Sequence, residues 1–421
     1  MSKRRYQSVE FKKVDWSGIV QRLDGERIVL AVDVAKEDFV ATLLDGGQRA
    51  VVTFKWRHPQ DTGEVVACMV GLGQGRRLEA VLEPSGTYGD VLAWQLRQAG
   101  IALYRVSPKR VHDAAEVYDG VPSLHDAKAA YLIGRLHLQG ISQPWQESAE
   151  ERRELKAMQT RLGVCKGREQ AACNRLEAHL SRHWPEILCL LPLGSASLAA
   201  LIGAYGDPAS VAAAPSGAEA LLRRSGRPGL SEDKIQAVLA GAQSSLGVPP
   251  VAAERELLQW LGSEAVAAHQ EVRQVEREIE QRLARDALLA ILAAIVGKVS
   301  AAVLLASVGS PLDYPDAASY LKALGLNLKE RSSGKHKGQL KITKRGPSLA
   351  RFYLYFAALR LLARDPLVKQ WYRLKSNRPG ALKNKIVIAL MRKLAKALWH
   401  SARGAGFDTS KLFNLKAVAG A

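Results

Sequence analysis

Three carboxylates stand where buried elements would begin or end. Asp33 closes the apolar run Arg27 to Val34 (RIVLAVDV), Glu83 closes the run Leu78 to Leu82, and Asp126 opens a helical pattern, Asp126 to Leu138. Each has an ordinary reading on its own, since an acid at a strand end begins a turn and an acid at a helix start caps it. Together they suggest more. Carboxylates at neighbouring strand ends can hold divalent ions between fixed oxygens, and Mg²⁺ favours a few carboxylates completed by water and phosphate oxygens. The chemistry suited to such a cluster is phosphoryl transfer with two ions about 4 Å apart.

A second candidate is a hydroxyl. Ser333 lies in Arg331-Ser332-Ser333-Gly334-Lys335-His336-Lys337, and a Ser-Gly turn of this kind also binds phosphate without any covalent step. The surroundings are strongly basic: from Lys329 to Lys396 there are 19 Lys or Arg and two acids, Glu330 and Asp365, in a chain whose formal charge is +19. That balance points to a polyanionic partner and to binding that weakens with salt. Lys335, Lys337, Lys341, Lys344, Arg345, Lys383, Lys385, Arg392 and Lys393 suit phosphate contact. Tyr353, Tyr355, Trp371 and Tyr372 are interleaved with them, either for stacking or as core. Ile295 to Ala302 resembles a helix-hairpin-helix turn about Gly297, where backbone amides hold a phosphate.

The elements that must position these groups follow from periodicity. Arg27 to Val34, Phe39 to Leu44 and Ala50 to Phe54 read as three antiparallel strands, with Asp45-Gly46-Gly47 at the first turn. A helix near Asp61 to Leu72, a strand Leu78 to Leu82, a helix Gly89 to Ala99, a strand Ile101 to Val106 and helices from Pro108 to about Gly140 come next. Hairpin strands followed by alternating helix and strand give the order of an RNase H-like mixed sheet, not of a doubly wound dinucleotide fold. Two long charged helical patterns, Glu147 to His183 and Val251 to Asp286, read as the arms of an antiparallel helical hairpin, with Leu257, Leu258, Trp260, Leu261, Val272, Val275 and Ile279 at helical spacing.

The 421 residues, 47% hydrophobic and 6% aromatic, suit several largely helical domains. The expected division is a flexible basic arm over 1–27, a mixed-sheet catalytic domain over 28–145, and the helical hairpin over 146–287 with an insert at about 185–250. A basic helical domain over 288–405 and a tail over 406–421 complete it. Cys68, Cys165, Cys173 and Cys189 are scattered, which argues against zinc and for reduced thiols in a cytoplasmic protein. No apolar run reaches the length of a bilayer span, so no membrane partner is expected.

These motifs jointly resemble the insertion-sequence transposases with an Asp-Glu-Asp-Asp catalytic set, the family that includes the Piv invertase and the bridge-RNA-guided recombinases. The marks are Val32-Asp33-Val34-Ala35-Lys36, Glu83-Pro84-Ser85-Gly86-Thr87-Tyr88, Val106-Ser107-Pro108, the segment 119–133, Gly297 to Leu305, Gly325-Leu326, Ser332-Ser333-Gly334 and Ile342-Thr343-Lys344-Arg345-Gly346. The resemblance implies a RuvC-like domain in which Asp33, Glu83 and Asp126 are the first three acids and bind two Mg²⁺ (or Mn²⁺) ions. It implies that Ser333, just before the glycine, is the nucleophile of a phosphoserine intermediate. It also implies a bacterial cytoplasmic recombinase acting on donor and target DNA with a structured guide RNA, as a dimer or a tetramer on paired DNAs. The family has Asp-x-x-Asp-Ala at the start of this helix, and reading Asp126 as the first of that pair places Ala129 at the fourth acid. A substitution that stops the reaction, natural inactivation, and replacement by Asp119 or Asp113 are the three accounts of that alanine.

Overall fold

The computed structural model describes residues 6–84, 86–226, 230–330 and 340–413 and divides the chain into two compact units, 1–148 and 149–421. The first unit carries, in chain order, β1 (Val9–Glu10), α1 (Trp16–Arg22), β2 (Arg27–Asp33), β3 (Asp38–Asp45), β4 (Ala50–Arg57), α2 (Thr62–Leu72), β5 (Arg77–Leu82), α3 (Asp90–Gln98), β6 (Ala102–Arg105), α4 (Pro108–Asp113), α5 (Asp126–Leu138) and β7 (Gln143–Pro144). They form one sheet of order β1-β4-β3-β2-β5-β6-β7. β2, β3 and β4 pair antiparallel, β5 and β6 continue from β2 in parallel, and the short β1 and β7 close the two edges.

Both faces of the sheet are covered, which is why β2 reads as an unbroken apolar run. Ile28, Leu30 and Val32 pack with Val65, Met69, Leu92 and Leu96 of α2 and α3, whereas Val29 and Ala31 pack with Leu132, Ile133 and Leu136 of α5. Successive strand residues alternate between faces. Residues 9–23, expected to belong to a flexible arm, are instead packed on the sheet: β1 pairs with β4, and Phe11, Ile19 and Leu23 are buried in the sheet's core. A two-residue strand and a seven-residue helix are too short to leave a periodic signal.

The second unit is helical except for one ribbon. It carries α6 (Glu150–His183), α7 (Ile187–Leu190), α8 (Ala196–Tyr205), α9 (Pro208–Ala213), α10 (Pro215–Ser225), α11 (Glu232–Gln243), α12 (Ala252–Arg282), α13 (Ala287–Val296), α14 (Lys298–Val308), α15 (Ala317–Ala323), β8 (Leu328–Lys329), β9 (Lys341–Ile342), α16 (Ser348–Arg364), α17 (Pro366–Ser376) and α18 (Lys383–Ser401). The long helices α6 and α12 run antiparallel, as the ion pairs Glu154–Arg282, Arg161–Glu278, Arg168–Glu271 and Arg182–Glu254 require: one residue number rises as the other falls. At one end the pair shares a core with α7 to α11. At the other it is rooted in the helical layer of α13 to α18 through Leu155, Leu162, Val275 and Ile279.

Gly134 sets how closely α5 lies on the sheet. A Cβ there would stand 2.3 Å from Leu44 Cδ1 and 3.0 Å from the Ala31 Cβ, so only glycine permits the approach. Gly163 of α6 has open space instead. Gly134→Ala should therefore destabilise the chain by about 1–3 kcal/mol through overpacking, while Gly163→Ala should stabilise it by up to about 1 kcal/mol by raising helix propensity. Denaturant unfolding of both variants checks the pair of opposite signs.

Candidate active site

The alternation that buries β2 and β5 also fixes where their terminal acids go. Asp33 shares the parity of Val29 and Ala31, and Glu83 that of Val81, so both face the side of the sheet covered by α5. The strands are parallel neighbours with Val32 opposite Leu82, and the Glu83 N–H donates to the Val32 carbonyl at 3.3 Å. Asp126 is the first residue of α5, at the same end of the layer and exposed.

Electrostatics tie the three together. Burial raises the Asp33 carboxyl, the charges of Glu83 and Asp126 raise it further, and it reaches about 7 although the Val34 N–H opposes the shift. Burial also holds Glu83 above its ordinary value. Among the described residues, no Lys, Arg or His pairs with Asp33, Glu83 or Asp126. Three hard oxygen donors that repel one another without a protein cation fit a divalent ion chemically. They are not gathered tightly around one point, since among the described residues no three His, Cys, Asp or Glu side chains form a ligand cluster.

Position 129 corrects the sequence reading. Ala129 is 4% exposed and packs with Val29, Ala31, Val81, Leu132 and Ile133, one turn deeper than Asp126. A carboxylate there would be an unpaired charge in an apolar layer, which costs several kcal/mol. The alanine belongs to the core. In the other register Asp126-Ala127 would be the closing pair of Asp-x-x-Asp-Ala, and Ser123 would stand at the preceding acid. Ser123 is exposed on the loop entering α5.

That loop is held by a residue the sequence reading passed over. Lys128, 1% exposed, donates from Nζ to Asp119 Oδ1 at 2.9 Å, the Val121 carbonyl at 2.7 Å and the Ser123 carbonyl at 3.1 Å. A buried lysine with three oxygen acceptors is a clamp. Asp119 is thereby committed to Lys128 and to the Val121 N–H, and Asp113 to Lys109, so neither is a substitute fourth acid. Farther down α5, His137 Nε2 lies 2.9 Å from Glu79 Oε2, and Arg27 and Arg77 reach the same carboxylate from β2 and β5 at 2.7 Å. Burial alone would raise Glu79, but the hydrogen bonds from His137 and Arg27 carry it below the usual range.

A cavity of about 300 Å³ beside Glu83 is lined by Pro84, Arg105, Ser107 and Arg110. Its two exposed arginines border the acid set, and the sequence signal for them was Val106-Ser107-Pro108.

In the second unit, β8 and β9 pair with Leu328 opposite Ile342 and Lys329 opposite Lys341. Ser333, Lys335 and Lys337 fall in their connection and lie outside the described residues. Lys341, Lys344, Arg345, Lys383 and Lys385 are exposed. Arg392 and Lys393 are half-buried and donate to the carbonyls of Leu326 at 2.9 Å and Leu412 at 2.5 Å, so both serve the fold. Tyr353 and Trp371 are core residues, with Tyr355 and Tyr372 packed against that core. Gly297 turns α13 into α14 at φ 83°, and Arg360 Nη2 donates to the Val296 carbonyl and Ser300 Oγ at that turn. The ribbon's root is a close backbone crossing, where a Cβ on Gly346 would stand 2.3 Å from the Ala323 carbonyl oxygen.

The mixed sheet is consistent with a DEDD-type transposase domain, and residues 30–185 match a transposase profile of that type. Residues 292–373 match the profile described as Transposase IS116/IS110/IS902 family, and the two stretches together span more than half of the chain. The chain belongs to the IS110/IS116/IS902 family of transposases. Comparison with curated proteins gives no match. No helix among the described residues is long and apolar enough to cross a membrane.

The raised Asp33 gives a pH signature. A carboxyl whose folded value lies above its unfolded one is accommodated while neutral and penalises the fold increasingly as pH rises from about 4 to about 7. Without divalent ions, Asp33→Asn should melt above the wild type at about pH 8 and lose that advantage at about pH 4. Added Mg²⁺ or Mn²⁺ should raise the melting temperature of the wild type at the higher pH and not that of the variant. Thermal melts with and without the ions read both. A second pair separates the registers: Ser123→Asp should strengthen the divalent-ion stabilisation, whereas Ala129→Asp should lower stability by several kcal/mol without strengthening it.

Proposed function

We propose that this transposase cuts and rejoins DNA through a phosphoserine intermediate, with Ser333 as nucleophile and Asp33, Glu83 and Asp126 as the acid set. The observation that carries the reading is the carboxylate set at the ends of β2 and β5, with which no cation among the described residues pairs, in a chain whose two matched domains are transposase domains. Bound by these carboxylates, Mg²⁺ or Mn²⁺ would supply Lewis-acid stabilisation of charge on phosphate oxygens. Ser333 Oγ bonds to phosphorus as its proton is lost, the ester bond to one sugar oxygen breaks, and that oxygen takes up a proton. The number of phosphate ester bonds is unchanged. Attack by a second DNA hydroxyl on the phosphoserine then rejoins the strands and frees Ser333 without external energy.

Lys341, Lys344, Arg345, Lys383 and Lys385, exposed along and beyond the ribbon, support phosphate contact by this domain. Lys335 and Lys337 flank Ser333 and are assigned the same role. The family resemblance supports a structured guide RNA that selects donor and target DNA, and assembly as a dimer or a tetramer on two DNAs. Leu257 and Trp260 of α12, 37% and 55% exposed, lie outside the seam with α6 and suit a contact between copies of the chain. Ser123 at an acid position favours a second reading, a nucleic-acid-binding homologue that assembles without cutting. A metal-dependent junction resolvase or nuclease that uses water is the other enzymatic reading.

Incubation with end-labelled donor DNA, guide RNA and Mg²⁺, followed by a denaturing gel, separates these readings. A covalent protein-DNA band that is lost in Ser333→Ala and kept in Ser332→Ala is the expected result. Cleavage without the band assigns the reaction to water, and neither product, even with Ser123→Asp, assigns the chain to binding alone. Trp260→Ser should lower the self-association constant about tenfold by sedimentation, as loss of a buried aromatic anchor would.

A further inference from the structure

We infer that the groove between the β8–β9 ribbon and α18 is a slot for one unstacked base of single-stranded DNA. It rests on the nucleic-acid reading of this domain and adds a specific ligand to it. The groove encloses about 570 Å³ and is lined by Leu328, Leu340, Ile342, Ile388 and Ala389, with Lys329, Lys341, Lys344, Lys385 and Arg392 around it. No acid lines it.

Two features distinguish it from an ordinary basic surface. Leu328 and Leu340 are 40% and 54% exposed, so the apolar floor is open where cations surround it. Lys344 adopts φ 57°, uncommon for a residue with a Cβ, and is held there by its N–H to the Gly325 carbonyl and by the Thr343 N–H to the Asn327 carbonyl, both 2.9 Å. An apolar floor inside a ring of cations complements a base attached to phosphates, and a volume of this size lies within the roughly 300–1,000 Å³ of small-ligand sites. Duplex DNA would present only phosphates to the ring and leave the floor uncovered.

The lining favours DNA over RNA. Thr343 is the lining residue whose side chain can accept a hydrogen bond, and its Oγ1 already lies 2.5 Å from Asn327 Oδ1. That leaves no lining side chain among the described residues to accept a hydrogen bond from a ribose 2′-hydroxyl.

The test is fluorescence anisotropy of the full chain with an oligodeoxyuridylate of about twelve nucleotides, the same backbone without bases, and oligouridylate. The base-bearing DNA should bind about tenfold tighter than the abasic strand, as base contacts of ordinary strength give. Ala389→Trp, which fills the slot, and Leu340→Asn, at an exposed position that does not threaten folding, should bring that ratio towards one. Lys341→Ala with Lys344→Ala should weaken both strands alike and keep the ratio. Anisotropy reads binding without cleavage, so failure of the serine chemistry and failure of the slot are read separately. A wild-type ratio near one, a ratio that survives both slot variants, or tighter binding of oligouridylate than of oligodeoxyuridylate overturns the inference.

Discussion

The close seating of α5 on β2 and β5 is the contact on which the acid set depends. Two adjacent parallel strands alternate in phase, so one face receives Val29, Ala31 and Asp33 from β2 and Glu79, Val81 and Glu83 from β5. α5 covers that face, and the absence of a side chain at Gly134 lets it approach Leu44 and Ala31. Its far end is pinned by His137 against Glu79, and its near end by Lys128 against the loop from Asp119 to Ser123. Both clamps are buried ionic groups, Lys128 with three oxygen acceptors and Glu79 with His137, Arg27 and Arg77, and such groups specify one arrangement more than they add stability. Asp126 can therefore join Asp33 and Glu83 without any tight contact of its own.

Glu79, buried within β5, and Glu83, half-buried just after it, show how environment divides one residue type into two roles. Glu79 and Glu83 are four residues apart on the same strand face. Glu79 meets Arg27, Arg77 and His137 and stays below the usual carboxylate range, so its pairing supports the fold above acid pH and is lost as pH falls. Glu83 meets no cation among the described residues, and burial pushes it the other way. An acid set left in that state is destabilising by itself. Such a penalty is tolerated where a ligand of opposite charge relieves it.

Much of this was legible in the sequence because the first unit is built from strands with strong signals. The runs ending at Asp33 and Glu83 are near-continuous apolar segments, and their boundaries differ from the structure by a residue or so. What was not legible lay in short or tertiary features. The segment β1 to α1 owes its place to Phe11, Trp16 and Phe54 packing together, a contact between residues far apart in sequence. Lys128 looked like a surface lysine, since nothing in Asp-Ala-Lys-Ala-Ala announces three oxygens waiting for its ammonium. The register of the acid motif failed for a related reason: positions three apart on a helix share a face, but one turn separates the rim at Asp126 from the core at Ala129.

Charge counting was equally blind to which cations are free for a partner. The basic stretch reads as one uniform polyanion-binding surface, yet Arg351 donates to the carbonyls of Leu324 and Gly346, Arg360 to that of Val296, Arg392 to that of Leu326 and Lys393 to that of Leu412. These cations terminate helices and brace the crossing of the Gly325 and Gly346 backbones. The motif Ile342-Thr343-Lys344-Arg345-Gly346 divides in the same way: Thr343 and Gly346 hold the ribbon to Asn327 and Ala323, and that attachment leaves Lys344 and Arg345 exposed. A ribbon of two paired residues per strand has too little ladder to hold itself in water. Its position relative to α18 is set by that glycine crossing, and the geometry offered to a nucleic acid at its base follows from a packing constraint more than from the charges themselves.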